Sequence, residues 1–480
     1  MRLRASEVAA AVGGALHGRD ADVEGAGIDS RRLHPGELFV PVVGQRDGHD
    51  YIPDALAAGA AAYLTTRSPR GGTAVMTDDT AAALNSLARW ARRGLPDRIV
   101  AVTGSVGKTT TKDLLAAVLA RRFLVGASPR SFNNELGVPL SLLGVPGHAE
   151  AVVIEMGTGG VGEIARHCEL TKPNAGIVTR VAPAHLEALG DLAGVARAKA
   201  ELVEALPASG LAVLNADDTW VAAMRRRTRA AVLTFGQLAQ AEVVATAVTV
   251  GDDLRPRFCL RSPWGVADVR LAARGEHQVG NALAAAALAL AWGVPLYEVT
   301  TALDRAPLSP GRMHLGRTPS GALLLDDAYN ASPASMTEAL RSLARLPAQR
   351  RVAVLGAMAE LGARSDGYHR AVRSLAQALG IRLIQVGPGA YGAERVPSAE
   401  DAVAALGAIG DGDAVLVKGS RVTGMDRVAR ALLTGQPAGR REDPVVADAA
   451  GMGRRTRPPP GRVPRTCDAD QAAPAGDGRP

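Results

Sequence analysis

Short apolar runs alternate with helical segments along most of the chain. Four runs rich in Val, Ile, Leu and Ala lie in its first half, at 99–103, 151–155, 175–179 and 211–214. Because helical stretches separate these runs, the pattern predicts parallel strands in a helix-covered sheet. Four further runs, each ending in Gly or Asp, follow at 323–327, 351–356, 382–387 and 414–419. The hydrophobic pattern therefore predicts an α/β protein with two open parallel sheets.

The same pattern divides the chain into three predicted domains and a tail. A chain of 480 residues suits roughly three domains of ~150 residues each. A smaller N-terminal α/β domain, 1–95, has strand candidates at 38–43 and 61–64 with a helical stretch at 54–61 between them. The other predicted bounds are 96–308 for a central α/β domain, 309–435 for a C-terminal Rossmann-like α/β domain and 436–480 for the tail.

Three segments depart from the alternation of strands and helices. Residues 241–274 alternate apolar and polar positions, which is typical of antiparallel strands. The Ala-rich run 281–292 predicts a buried helix. Residues 436–480 are rich in Pro, Gly and Arg and have no apolar periodicity, so we expect them to be disordered.

Composition narrows the function classes. Aromatic residues make up only 3% of the chain and are not interleaved with clustered Lys and Arg, so nucleic-acid binding is not expected despite the net charge of +7. The three cysteines are odd in number and far apart, which indicates a reducing compartment. No apolar run approaches the ~20 residues of a membrane span, and the N-terminus lacks the apolar core of a signal peptide. We therefore expect a cytoplasmic protein with no membrane span.

Residues 98–112, RIVAVTGSVGKTTTK, have the order of a phosphate loop. A β-branched strand leads into a turn in which Gly104 and Gly107 allow backbone N–H groups to point inward. Lys108 can then reach the outer phosphates of a nucleotide, and the Thr109 hydroxyl can bind Mg²⁺. The general pattern has a further glycine where Val102 stands, so this is a shortened form, G-x-x-G-K-T. The alternative is an ordinary glycine turn with an exposed lysine.

Three residues that follow the loop further along the chain are candidates for the site. Glu155 ends a strand about one βαβ length later, where a carboxylate would face the metal of a bound nucleotide; the alternative is a surface glutamate. His185 follows the next strand, near the edge where parallel sheets bind ligands, although a lone histidine there is more often structural. Lys199 falls on a helix that starts near Leu192, and the sequence by itself favours a solvated lysine.

Polar residues further along the chain are candidates for nucleotide contacts. The Asn281 amide can donate to and accept from an adenine edge, or it can cap or lie within a helix. Arg312, at the predicted join of the second and third domains, can bind a phosphate. Asp326 and Asp327 end a predicted strand and can bind ribose hydroxyls or act on a substrate amine; the alternative is an N-cap and a turn.

Together these motifs resemble the Mur ligase family, from about Ser30 to Arg421. TGSVGKTTTK (103–112) is similar to the family's shortened phosphate loop, and DSRRLHPGELFVPVVGQRDGHDYI (29–52) to its uridine-nucleotide-binding segment. Further similar segments follow in the family's order: SFNNELGVPLSLL (131–143), EMG (155–157), AHLE (184–187), ARAK (196–199), PGRMH (310–314), DDAYNASPASM (326–336), LGAMAELG (355–362) and VKGSR (417–421). Gln278 and Ser332 stand where the family usually has Asn.

The resemblance implies a monomeric, ATP- and Mg²⁺-dependent ligase of peptidoglycan precursor synthesis that joins D-Ala-D-Ala to UDP-MurNAc-tripeptide. ATP would phosphorylate the terminal carboxylate of the tripeptide, and the dipeptide amine would attack the acyl phosphate. Closure of such a site would exclude water from that intermediate.

The resemblance also implies roles for individual residues. ATP would lie on the loop formed by Gly104, Ser105, Val106, Gly107, Lys108, Thr109 and Thr110. Magnesium would be bound by Thr109, Glu155, His185 and a carbamylated Lys199, and Lys108, Lys199 and His185 would be catalytic. Asn281 would contact adenine, while Arg312 and Asp327 would contact the phosphates and ribose. Ser30 and Arg31 would bind the uridine nucleotide, and Asn133 and Asn134 would lie near the muramoyl peptide.

Other functions are compatible with parts of this pattern. A folylpolyglutamate synthase shares the architecture, but the segment 29–52 fits a UDP-sugar-peptide domain that folate ligases lack. A paralogue could act on a modified dipeptide or a specialised metabolite. A non-catalytic phosphate-loop protein would explain 98–112 but not the ordered motifs that follow.

Overall fold

The computed structural model describes residues 2–388 and 391–436. All but the first residue of the predicted tail, 436–480, therefore lies outside the described residues. The described residues form two compact units. The first takes its residues from Met1–Phe235, Ala284–Ala289 and Glu360–Gly362, and the second from Gly236–Leu283, Leu290–Ala359 and Ala363–Pro480. The three domain bounds drawn from the sequence remain a prediction.

The first unit begins with two small sheets. Their strands are β1 (Arg2–Arg4), β2 (Ala15–His17), β3 (Asp22–Glu24), β4 (Ala26–Gly27), β5 (Leu38–Phe39), β6 (Ala62–Thr65) and β7 (Ala74–Met76). Its helices are α1 (Ala5–Val12), α2 (Ile52–Ala57) and α3 (Thr80–Arg92). Five strands pair in the order β2-β7-β6-β5-β4, and β1 pairs with β3. The strand predicted at 38–43 is shorter than expected, because Pro41 has no N–H to donate to a neighbouring strand.

A parallel sheet forms the rest of the first unit. It contains β8 (Ile99–Thr103), β9 (Val125–Ala127), β10 (Ala151–Glu155), β11 (Ala175–Val178), β12 (Leu211–Asn215) and β13 (Ala231–Gly236). These strands follow one another in the order β13-β12-β11-β8-β10-β9, and every pair is parallel. The helices are α4 (Lys108–Leu119), α5 (Gly137–Leu143), α6 (Glu163–Thr171), α7 (Leu186–Leu189), α8 (Leu192–Glu204) and α9 (Thr219–Ala223). The four predicted strands are confirmed, whereas β9 and β13 were not predicted.

The second unit opens with three strands, β14 (Val243–Val250), β15 (Pro256–Ser262) and β16 (Gly265–Arg270). They pair antiparallel, as the alternation at 241–274 predicts. Two helices follow in the chain: α10 (Gln278–Ala291), of which Ala284–Ala289 belong to the first unit, and α11 (Leu296–Arg305). The predicted buried helix is confirmed, because every residue from Ala282 to Leu290 is at most 2% exposed.

A second open sheet completes this unit. Its strands are β17 (His314–Arg317), β18 (Leu323–Asp326), β19 (Arg350–Gly356), β20 (Arg382–Val386), β21 (Glu394–Val396) and β22 (Asp413–Lys418). Their order is β17-β18-β22-β19-β20-β21, parallel throughout except at β17. The helices are α12 (Pro333–Arg345), α13 (Ser365–Ala378), α14 (Ala399–Leu406) and α15 (Met425–Thr434). Because β18 and β22 are parallel neighbours, the residues after both strands meet at one edge of the sheet.

Candidate functional site

The turn between β8 and α4 has the geometry of an anion-binding loop. Gly104 has φ 144° and Gly107 has φ 86°, both in the region that favours glycine. A Cβ on Gly104 would lie 1.9 Å from the Thr179 Oγ1 atom, so the close approach to the segment after β11 also requires glycine. That segment fixes the loop, because Thr179 Oγ1 donates to the Val106 carbonyl over 2.6 Å.

Lys108 starts helix α4 and lies across this turn. Its Nζ donates to the Gly104 carbonyl oxygen over 2.8 Å, which holds the ammonium group at the loop. The positive end of α4 starts at the same place, so charge and backbone dipoles both favour an anion there. The segment that follows β11 also holds the loop between the two glycines, because Ser105 N donates to the Arg180 carbonyl over 2.7 Å.

A buried carboxylate lies beside the first turn of α4. Glu155 is the last residue of β10, is 0% exposed and accepts hydrogen bonds on a single oxygen. Oε1 accepts from Thr109 Oγ1 over 3.2 Å and from Asn133 Nδ2 over 2.6 Å. Oε2 is buried and has no hydrogen-bond partner among the described residues. The alternative of a surface glutamate is therefore wrong.

The free oxygen of Glu155 fits a divalent cation. A buried carboxylate oxygen without a partner is unfavourable unless a cation or donor satisfies it. Hydroxyl and carboxylate oxygens are ligands that Mg²⁺ prefers, and the Ser131 hydroxyl lies 3.0 Å from Thr109 Oγ1. No three His, Cys, Asp or Glu side chains converge anywhere in the described part of the chain. A cation here would therefore need further ligands from hydroxyls, water or substrate oxygens.

Lys199 is buried, which corrects the expectation of a solvated lysine. It is 1% exposed on α8. It shares one helix face with Val195, Ala198 and Leu202, all buried, at the spacing of an apolar stripe. This spacing is visible in the sequence and is the signal that predicts the burial of Lys199. Burial, and then the ammonium group of Lys108, hold the pKa of Lys199 well below its ordinary value.

His185 is held in an unusual backbone conformation. It caps helix α7 with φ 53°, which is uncommon for a residue with a Cβ and indicates local strain. Its Nδ1 lies 2.5 Å from the Glu360 Oε2 atom, and the same contact lowers the pKa of Glu360. The described side-chain contacts of His185 thus involve Glu360 rather than Glu155. Its role as a metal ligand remains a prediction.

The predicted substrate residues have local partners. Ser30 is buried in a short 3₁₀ turn, Ser30–Arg32, and the exposed Arg31 forms a double hydrogen bond to the Asp29 carboxylate that lowers the pKa of Asp29. Asn133 binds Glu155 as described above. Asn134 Oδ1 accepts from Gly137 N over 2.9 Å at the start of α5. The described contacts therefore bring Asn133 to the carboxylate and Asn134 to a helix end.

In the second unit, Asp327 forms a buried ion pair that the sequence pattern did not predict. Lys418, 2% exposed at the end of β22, has its Nζ 2.5 Å from Asp327 Oδ2. Burial lowers the pKa of Lys418, and Asp327 opposes that shift. The neighbouring Asp326 accepts from Ala328 N in a turn, and burial raises its pKa to about 6. A lysine directly after the apolar run of β22 was the available signal.

The remaining predicted nucleotide residues also lie in the second unit. Asn281 is in the first turn of α10, where its Nδ2 donates to Gln278 Oε1 over 2.7 Å. The Arg312 guanidinium carbon lies 4.2 Å from the centre of the Tyr329 ring. Ser332 caps α12 by accepting from Ser335 N. No helix in the described part of the chain has the length and apolar character needed to cross a membrane.

Comparison with known proteins extends these observations. Three family descriptions match: "Mur ligase family, catalytic domain" at 22–98, "Mur ligase middle domain" at 102–289, and "Mur ligase, glutamate ligase domain" at 311–421. The UDP-N-acetylmuramoyl-tripeptide–D-alanyl-D-alanine ligase of Escherichia coli (strain K12) is 37% identical over 449 residues, which cover 89% of this chain and 97% of that protein.

The chain is also similar to solved structures of ligases of this kind. A crystal structure of MurF from Acinetobacter baumannii has a TM-score of 0.79 and 28% identity, and the match covers 90% of this chain and 99% of that chain. The crystal structure of MurF ligase from Thermotoga maritima in complex with ADP has a TM-score of 0.72 and 27% identity, with 85% and 97% covered.

Proposed function

This chain belongs to the Mur ligase family, and on that premise we propose that it joins D-Ala-D-Ala to UDP-MurNAc-tripeptide with ATP, in peptidoglycan precursor synthesis. The observation that carries the proposal is the match to a ligase of that name over 97% of its length at 37% identity. We further propose a cytoplasmic location, where ATP and UDP-linked precursors are available, and a monomeric enzyme.

The phosphate loop supports the use of ATP. Gly104 and Gly107 adopt the positive-φ backbone that lets the loop turn its N–H groups inward, and Lys108 carries the charge that phosphoryl transfer requires. Such transfer depends on positioning and charge stabilisation more than on covalent catalysis. The ADP complex of the Thermotoga relative is consistent with this assignment.

Thr109, Glu155 and His185 would hold Mg²⁺ in this site. When bound, the ion supplies charge neutralisation for the phosphates. Glu155 is prepared for this role, because its Oε1 already accepts from Thr109 and Asn133 while Oε2 has no partner within residues 2–388 and 391–436. The carboxylate is thereby oriented before any ligand arrives.

We propose that Lys199 is carbamylated. A lysine reacts with CO₂ only as the neutral amine, and burial beside Lys108 favours that form. In the reaction a new N–C bond forms, one proton leaves the nitrogen, and the product is a carbamate anion. This change replaces a neutral amine beside the Lys108 ammonium group with an anionic oxygen donor.

The proposed reaction has two steps. The terminal carboxylate of the tripeptide attacks the γ-phosphorus of ATP, and the bond from that phosphorus to the bridging oxygen breaks to release ADP. The dipeptide amine then attacks the acyl carbon, the amine loses a proton and phosphate leaves. Lys108 would stabilise charge on the transferred group, and Arg312 and Asp327 would bind the nucleotide.

An assay of phosphate release tests the function. We expect ATP turnover only when UDP-MurNAc-tripeptide and D-Ala-D-Ala are both present, with one amide product formed for each phosphate. Equal turnover with folate and glutamate, or turnover without an acceptor, would contradict the proposal. ATP binding without any amide product would favour the non-catalytic alternative.

A further inference from the structure

Two guanidinium groups approach a single aromatic ring at the edge of the second sheet. The Cζ atom of Arg312 lies 4.2 Å from the centre of the Tyr329 ring, and that of Arg421 lies 5.7 Å from it. The Arg421 Nη1 atom also donates to the Tyr329 hydroxyl over 3.3 Å. A tyrosine ring attracts cations through its face, so it can hold two like charges in one place.

The ring itself is held by the backbone. Tyr329 N donates to the Gly311 carbonyl over 3.2 Å. Gly311 has φ 67°, and a Cβ at this position would lie 3.4 Å from the Tyr329 Cβ atom. The turn before Arg312 and the segment after β18 are therefore packed together. Tyr329 has a defined position from which its hydroxyl can orient Arg421.

The acidic groups nearby are already engaged. The Asp327 carboxylate accepts from Lys418 Nζ on Oδ2 and from Met313 N over 3.2 Å on Oδ1. Asp326 is largely buried and accepts from Ala328 N. Arg421 is exposed, and within residues 2–388 and 391–436 it forms no ion pair with a carboxylate. In the described part of the chain, this edge of the sheet thus presents the Arg421 cation without a carboxylate counter-ion.

The orientation of Arg421 suits a carboxylate. Its Nη1 is used by the Tyr329 hydroxyl, which leaves the edge formed by Nε and Nη2 for a ligand. Two parallel N–H donors on this edge match the two oxygens of a carboxylate. Lysine could replace only part of this contact, because an ammonium group keeps the charge but lacks the planar fork.

We propose that Arg421 binds the C-terminal carboxylate of the incoming dipeptide and that Tyr329 is its positioning residue. The proposal rests on the proposed function, which supplies a dipeptide whose amine reacts while its carboxylate does not. Arg312 remains assigned to the nucleotide. Arg421 would then determine that the acceptor is a free acid, and it would place the reactive amine at the opposite end of the dipeptide.

The test compares D-Ala-D-Ala with D-alanyl-D-alaninamide, which lacks the carboxylate, as acceptors for the wild type and Arg421→Gln. In the wild type, kcat/KM should favour the acid by about 10- to 100-fold, the range for hydrogen bonds to a charged group. Arg421→Gln should lose most of this preference, mainly through a higher KM for the dipeptide. The KM values for ATP and for UDP-MurNAc-tripeptide should stay unchanged.

Additional variants separate binding from folding. Arg430→Gln removes an exposed arginine on α15 and should behave as the wild type. Tyr329→Phe keeps the ring and removes the hydroxyl, so it should raise the KM for the dipeptide with kcat retained. Arg421→Lys should restore only part of the preference for the acid.

The outcomes are distinct. An unchanged preference for the acid in Arg421→Gln would overturn the proposal. A rise confined to the KM for ATP would also overturn it, because it would assign Arg421 to a phosphate. If the wild type releases no phosphate with D-Ala-D-Ala at all, the proposed function fails and this inference fails with it.

Discussion

Thr109 Oγ1 lies 3.2 Å from Glu155 Oε1, so the first turn of α4 and the last residue of β10 meet at one carboxylate oxygen. The two residues are far apart in the chain, but β8 and β10 are parallel neighbours with Glu155 opposite Val102. The strand that leads into the phosphate loop thereby carries the loop to the buried carboxylate. The opposite oxygen of Glu155 is left without a partner in the described residues.

Replacing Lys108 should remove turnover without unfolding the protein. Lys108→Ala deletes the ammonium group beside the Gly104 carbonyl, and losing one such contact to a developing charge typically costs about 100-fold or more in kcat. Phosphate release measures the rate, and circular dichroism checks the fold. Lys172→Ala, which alters an exposed lysine at the end of α6, is the matched control. Near-normal turnover of Lys108→Ala would contradict the assignment of the loop.

Replacing Glu155 should uncouple nucleotide binding from magnesium. Glu155→Gln keeps the shape of the side chain but removes the charge from the buried oxygens. We expect Mg²⁺ to raise the thermal midpoint of the wild type in the presence of ADP, because ligands that bind only the folded state stabilise it. The variant should lose that Mg²⁺-dependent increase. An equal increase in both proteins would exclude Glu155 as a metal ligand.

Asn133 should orient the Glu155 carboxylate and should not itself take part in the reaction. Asn133→Ala removes the 2.6 Å hydrogen bond to Glu155 Oε1 and leaves that oxygen with one donor fewer. The expected cost is about 1–3 kcal/mol in unfolding free energy, together with a higher Mg²⁺ concentration for half-maximal turnover. Asn133→Ser, which retains a donor, should recover part of both. A Mg²⁺ requirement unchanged by Asn133→Ala would show that the bond does not orient the carboxylate.

The buried amine of Lys199 should make the free energy of unfolding increase with pH in the alkaline range. Burial lowers the pKa of Lys199 in the folded state, while the unfolded chain has an ordinary lysine pKa of about 10.4. Between these two pKa values the unfolded state binds more protons, so stability rises with pH up to the unfolded pKa. Lys199→Met should remove this rise. Denaturation at several pH values in CO₂-free buffer measures it, and an identical slope in both proteins would contradict a neutral buried amine.

The carbamate itself has a separate test. Lys199→Ala should lose turnover and regain part of it when a short carboxylate such as acetate is added, because acetate can supply the missing oxygen donor. Full activity of Lys199→Ala without any additive would return Lys199 to a packing role. Mass spectrometry of the native protein under bicarbonate should detect the added carboxyl group.

Removing one partner of the Asp327–Lys418 pair should lower the stability of the protein more than replacing both partners with apolar residues. Lys418→Ala leaves the Asp327 carboxylate buried without its counter-ion, and we expect a loss of about 3–5 kcal/mol in stability. The double variant Lys418→Met with Asp327→Leu should recover much of that stability but not the activity. Thermal unfolding of the full chain and phosphate release measure the two effects. A double variant as active as the wild type would exclude Asp327 from nucleotide binding.

Much of the architecture could be predicted from local pattern. The runs 99–103 and 151–155 are strands with the predicted bounds, because a fully buried parallel strand needs a continuous apolar run. Strand β9 was missed because its three residues, Val125–Ala127, are too short to show a pattern. The phosphate loop could also be predicted from the sequence, because its glycines, Lys108 and Thr109 are close together in the chain and act through local backbone geometry.

Some candidate residues are surrounded by segments that are distant in the chain. The sequence could select these residues as candidates, but it could not predict their burial or their partners. The sequence alone determined the α/β class, the phosphate loop and the choice of Glu155, Lys199 and Asp327 as candidates. Only the tertiary structure decided that one Glu155 oxygen has no partner in the part of the chain that the structure describes, that Lys199 is buried and that Asp327 pairs with Lys418. The reason is physical: periodicity reflects the neighbours of a residue along the chain, whereas desolvation and hydrogen bonding depend on whatever packs against it from elsewhere.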